Sequence, residues 1–187
     1  CSMVTSALAT YNYTLTADNR IASVTPRWIA FAQENGAPEL TMESVVGQPL
    51  SEFVSGTGTQ RLYETIYDRV RSDDLVVVLP FRCDSPTLRR DMIMRIGKQS
   101  DSVLAIQCTL INTEVKRPSP LLDRRAIRNE NQLTICSLCL QALVEPVGWM
   151  EVEDAVITLH LLEEETVPQV AYTICPSCEE WETRLPA

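Results

Sequence analysis

Leu75-Val-Val-Val-Leu79, Arg90-Asp-Met-Ile-Met-Arg-Ile96 and Val103-Leu-Ala-Ile-Gln-Cys-Thr-Leu-Ile111 are the stretches that decide how this 187-residue chain folds. The first is a β-branched run too short for a buried helix of normal length, and it continues through Phe81. In the second, Met92, Met94 and Ile96 alternate, the period of a strand with one buried face. Upstream, Tyr13-Thr-Leu-Thr16 and Ile21-Ala-Ser-Val24 flank Asp18-Asn19, residues that tolerate tight-turn conformations, so a hairpin is expected there. Helices fill the interval. Thr25-Pro26 opens one with Trp28, Ile29 and Ala32 on its apolar face, and Asn35-Gly36 stops it. Val45 to Pro49 reads as a turn and Leu50-Ser-Glu-Phe53 as a short helix. Thr59 is expected to cap a longer helix with Leu62, Tyr63, Ile66 and Val70 on one side. The resulting order, β-β-α-α-α-β-β-β, predicts an α+β fold: one antiparallel five-stranded sheet with helices on one face.

The downstream third has a different character. Cys136-Ser-Leu-Cys139 and Cys175-Pro-Ser-Cys178 are two C-x-x-C pairs separated by 35 residues. Tetrahedral zinc takes four soft ligands, and each C-x-x-C turn presents two thiolates to one ion, so the two pairs complete a site. A redox dithiol would need only one pair, and two disulfides would suit an oxidising compartment. Val152, Ala155, Val156 and Leu159 recur at helical spacing behind Glu151, Glu153 and Asp154, which places a helix between the pairs. Pro176 suits the first turn of a second short helix. A knuckle in a loop and a ligand pair at a helix start make a treble-clef-like zinc module.

The net charge is −9, and its distribution matters more than its size. From Cys136 onward there are ten acidic residues and one basic residue, Arg184, against 15 of each sign over residues 1–135. A module of that sign repels a phosphate backbone, so nucleic acid is not the expected partner. No apolar run approaches the roughly 18 residues of a membrane span. Seven cysteines, four in metal spacing, point to a reducing, cytoplasmic setting. The opening Cys1-Ser2 reads as an expression scar before Met3 or as the processed end of a lipoprotein, and the scar is preferred.

The upstream order resembles the PAS domain. The residues that carry the resemblance are Asn19-Arg-Ile21, Trp28 with Phe31-Ala-Gln-Glu-Asn-Gly36, Val46-Gly47-Gln-Pro-Leu50 and Pro80-Phe-Arg-Cys-Asp-Ser-Pro86. Ile111-Asn-Thr-Glu114 is similar to the end of a PAS sheet, without its Asp. The paired-cysteine tail resembles one that follows PAS domains in some bacterial signalling proteins. The division that follows is a lead-in over 1–10, a PAS-like unit over 11–116, a linker over 117–133 and a four-cysteine zinc module over 134–187. The linker carries a basic cluster of Arg117, Arg124, Arg125 and Arg128 just after Lys116, read as a solvated, partly helical connector facing the acidic tail in preference to a dedicated anion site.

The resemblance implies a cavity between sheet and helices that holds a haem, flavin or metabolite when it holds anything, with Trp28, Phe31, Phe53 and Phe81 as candidate lining. Neither named cofactor is supported. No histidine lies in residues 1–135 to ligate a haem, leaving Met92, Met94, Cys83 and Cys108 as poorer ligands, and Arg82-Cys83-Asp84 departs from the Asn-Cys-Arg setting of flavin-based light sensors. The sole histidine, His160, follows the tail helix and is expected on the surface. Without it no Ser-His-Asp or Cys-His set can be assembled, and Gly56-Thr-Gly58 is too short for a phosphate loop. The expectation is a non-enzymatic sensory or regulatory module with structural zinc, acting through a protein partner or a homodimer. The alternative is a thiol redox switch or oxidoreductase that cycles one C-x-x-C pair.

Overall fold

The computed structural model describes residues 8–183, leaving out the side chains of 181–183, so the Cys1 question lies outside the described residues. The first sheet joins β1 (Thr10–Leu15), β2 (Ile21–Val24), β3 (Val77–Arg82), β4 (Leu88–Lys98) and β5 (Leu104–Val115) in the order β2-β1-β5-β4-β3, every neighbouring pair antiparallel. This is the five-stranded sheet expected from the alternation. Tyr13 and Ile96 both stand opposite Ile106, which aligns the inward-facing sets of three strands. Onto that face pack α1 (Pro26–Glu34) through Ile29 and α3 (Thr57–Asp73) through Leu62, Ile66 and Val70. The hairpin turn uses Asn19 in the left-handed conformation (φ 58), and Arg71 of α3 donates to its Oδ1 at 2.7 Å.

Two local expectations are corrected. Thr59 does not cap α3: the helix begins at Thr57 behind Gly56, whose φ of 89 is readily adopted only by glycine, and Thr59 is buried within the first turn. A further short helix, α2 (Met42–Val45), precedes the 3₁₀ turn at Leu50–Phe53; reciprocal hydrogen bonds between Thr41 and Ser44 close its start.

The stretch expected as a linker over 117–133 is not a solvated connector throughout. Pro120–Leu122 forms a 3₁₀ turn, and from Arg128 the chain is already β6 (Arg128–Cys136), because Leu133 and Ile135 alternate into a second core. The spacer between the cysteine pairs holds more than a helix. It runs through β7 (Gln141–Val144), β8 (Gly148–Glu151), α4 (Val152–Thr158) and β9 (Val167–Thr173) before α5 (Pro176–Thr183). These strands make a sheet in the order β8-β7-β6-β9, with β6 and β9 parallel, and α4 buries Val152, Ala155 and Val156 in the core beneath it. A parallel pair requires a crossover, and the β7-β8 hairpin followed by α4 is that crossover.

Cys136, Leu138, Ile174, Cys175 and Cys178 belong to the core of the first sheet, not the second. The cysteine end of the second unit is thus packed into the first unit. Among the described residues no helix is long and apolar enough to cross a membrane.

Candidate metal centre

Each cysteine pair is held by its own turn. After β6, Leu140 N–H donates to Cys136 O at 2.9 Å and Leu140 takes φ 59, which turns the chain back into β7 and presents Cys136 and Cys139 on one side. At the other end, the N–H groups of Cys178 and Glu179 donate to Cys175 O at 2.9 and 3.0 Å, the first turn of α5, with Pro176 at its start. β6 and β9 run side by side with Cys136 opposite Thr173, which delivers the two turns to the same place.

The four Sγ atoms lie within 4.8 Å of one another, and Cys139 and Cys175 approach to 3.6 Å. That is far outside the roughly 2.05 Å of a disulfide. A tetrahedron of sulfurs about 2.3 Å from one ion has edges of roughly 3.8 Å, so the cluster fits a metal ion. Cys136, Cys175 and Cys178 are buried and Cys139 half-buried. The thiols are gathered as one set of four rather than as two separate dithiols. The Cys139 and Cys178 thiols donate to a Cys136 thiolate, joined by the N–H of Cys175 at 3.4 Å, and these bonds hold Cys136 far below the ordinary thiol range. The same bonds push the Cys139 and Cys178 thiols up. Without a cation the cluster therefore stabilises its first thiolate at the expense of the others, and a bound divalent ion reverses that balance.

The centre is tied to the first unit by hydrogen bonds that no local sequence pattern signals. Ser137, between the first two cysteines, shares a 2.6 Å hydroxyl contact with Thr59 of α3. Leu138 O accepts from the backbone N–H of Arg82, at the end of β3, at 2.7 Å. Gly56, at the start of α3, lies so close to β9 that a Cβ there would stand 2.3 Å from Tyr172 O. Long helix and edge strand both abut the knuckle.

Beside this contact lies a buried cluster of charges. Arg82 bonds Asp84, Glu151 at 2.5 Å and Glu153 at 2.8 Å, while Lys116 Nζ donates to Asp84 at 2.8 Å and to Glu153 at 2.7 Å. The Asp84 side chain is 0% exposed, so its pairing with two cations is what makes its burial tolerable. Burial works against the Glu153 carboxylate, but the Lys116 and Arg82 contacts override it and hold Glu153 down to about 2. Desolvation opposes the Arg82 charge as well, and Asp84 and Glu153 outweigh it, raising the guanidinium above its usual value. Asp84, Arg82 and Lys116 come from the first unit, Glu151 and Glu153 from the cysteine unit. The one signal available in sequence was an arginine placed directly after the apolar β3 run.

The expected pocket lining divides. Trp28 packs edge-on to Tyr13 at 6.3 Å, and Phe31 lies between Tyr11 and Arg90, as ordinary core and helix contacts. Phe53 and Phe81 instead line a cleft between the two units. Met92, Met94 and Cys108 are buried in the first core, where desolvation pushes the Cys108 thiol up to about 12; Cys83 lines the inter-unit cleft. His160 is exposed beyond the end of α4, as expected. In the basic stretch, Lys116 does face the acidic tail through Glu153, whereas Arg124 and Arg128 bond backbone carbonyls.

No protein-family model matches this chain, and none of the curated proteins does. Among solved structures it is similar to a domain of an HTR-like protein from Haloarcula marismortui, at 17% identity over 55% of this chain and 98% of that one, with a TM-score of 0.37. It is also similar to the photoactive yellow protein domain of the sensor histidine kinase Ppr from Rhodospirillum centenum, at 15% identity over 55% of this chain and 92% of that one, with a TM-score of 0.41. The fold itself is stated by the strand order and the single helical face.

Proposed function

We propose that this protein is a PAS-type sensory or regulatory module in which Cys136, Cys139, Cys175 and Cys178 hold one structural zinc ion, and that it acts by contact with a protein partner or a second copy of itself. The observation that carries the reading is the closed set of four thiols seated in the core of the first sheet. Four cysteines leave no open coordination position for a substrate, so the ion's contribution is to fix two turns and the elements attached to them. Through Ser137 and Leu138 those elements include α3 and β3 of the sensor-like unit. The residues' own part is mechanical: a change in the position of α3 or β3 shifts the knuckle, and with it the second sheet. The setting is cytoplasmic, and the module has no chemistry of its own. Metal analysis of protein purified under reducing conditions tests the reading. One zinc per chain, released by Cys136→Ser or Cys178→Ser, is expected, and two disulfides without metal would overturn it. Light scattering across a concentration series decides between self-association and a heterologous partner.

A further inference from the structure

The cleft between the two units is a second feature that the metal centre does not use. It encloses about 780 Å³, within the roughly 300–1,000 Å³ of small-molecule sites. It is distinct from an interior cavity between the first sheet and its own helices, because one wall is β9 and the turn at Pro120–Leu122. Phe53, Phe81 and Tyr172 give it aromatic surface, and three arginines, Arg82, Arg124 and Arg128, line it with no aspartate or glutamate among them. For a chain of net charge −9, the two of these that make no ion pair among the described residues, Arg124 and Arg128, are a local inversion.

The three arginines differ in how their charge is met. Arg82 is neutralised by the carboxylates of the buried cluster. Arg124 donates only to Gly36 O at 3.1 Å, and Arg128 to the carbonyls of Leu121, Asp123 and Pro168 at 3.0, 2.8 and 2.9 Å. Carbonyl dipoles orient a guanidinium but do not cancel its charge, and each guanidinium keeps donors for a carboxylate or phosphate. Both charges act on the Tyr172 phenol, so they reach the same part of the cleft. Arg128 is half-buried and held by three bonds, which fixes it in advance of any ligand; Arg124 is exposed and held by one bond, to Gly36 O, so its side chain can turn over a ligand.

We infer that this cleft binds a small organic anion with a flat apolar body, its carboxylate or phosphate held by Arg124 and Arg128 and its body against Phe53, Phe81 and Tyr172. The full chain, as purified under reducing conditions, is titrated calorimetrically with 1-naphthoate and with 1-naphthyl phosphate, and 1-naphthalenemethanol serves as the uncharged control. Saturable binding of at least one of the two anions is expected, with the alcohol at least about tenfold weaker and with Arg124→Gln weakening the anion by roughly tenfold, as for a lost charge-assisted hydrogen bond. Arg124→Lys should restore part of the loss, and an unchanged melting curve shows that the exposed substitution has not disturbed the fold. Absence of binding by both anions at millimolar concentration overturns the proposal, as does equal binding of the alcohol or an Arg124→Gln variant that binds like the parent.

Discussion

Arg82 joins the two units through both its backbone and its side chain. Its backbone N–H reaches Leu138 O of the first knuckle, and its side chain bonds carboxylates from both units. Arg82→Met leaves the buried Asp84 with Lys116 as its one remaining ion-pair partner beside the Arg90 N–H, so a loss of about 3–5 kcal/mol is expected in urea unfolding. The pH dependence follows from Glu153. A carboxyl held down to about 2 in the folded protein, against about 4.3 when unfolded, contributes stability that is fully present above pH ~4.3. That contribution is lost as the pH falls through the folded value. The stability difference between the parent and Glu153→Gln should accordingly be constant near neutrality and shrink progressively between about pH 4.3 and 2. Taking the difference removes acid-driven metal loss, which both proteins share. A difference that stayed flat to pH 2 would contradict the role assigned to the cluster.

At the level of elements, the start of α3 and the end of β9 form one joint. Gly56 supplies a positive φ that lets the helix begin where β9 leaves no room for a Cβ. Gly56→Ala combines that strain with a 2.3 Å approach to the Tyr172 carbonyl, which belongs to backbone and cannot rotate away. A cost of about 2 kcal/mol or more is expected in thermal or urea unfolding, with weaker metal retention in a competition with a chelator. The Thr59–Ser137 contact is separable from this. In a double-mutant cycle of Thr59→Val and Ser137→Ala, a coupling of about 1 kcal/mol is expected, and additive losses would show that the two hydroxyls do not support each other.

For the molecule as a whole, the proposed metal ion predicts that the two cysteine turns and the second sheet open together. Chelation of the ion should loosen the two turns together, because thiolate binding and folding are coupled at such sites. Hydrogen exchange is expected to rise first in β6, β9 and α5 and only then in α3, whose start rests on them. Uniform protection after chelation would show that the cores hold the joint without the ion. The charge distribution leads to another whole-chain outcome. With ten carboxylates and one arginine from Cys136 onward, no shift of duplex DNA is expected at moderate salt. A salt-sensitive, submicromolar complex would place the protein in a different functional class.

Periodicity and spacing made the first sheet and the four sulfurs legible before any coordinates. Met92, Met94 and Ile96 alternate because one face of β4 is buried, and the two C-x-x-C turns are local structures that close over a few residues. The second sheet was hidden because β6 begins in a stretch whose arginines look solvated, and because β6 and β9 pair across a long crossover that leaves no mark on either strand alone. Only the tertiary structure could place Arg82 on Glu151, 69 residues away, seat the knuckle against α3, and open a cleft lined by arginines between the units. A buried charge or a shared wall is defined by what the rest of the chain brings beside it, and sequence period records only which way a residue faces within its own element.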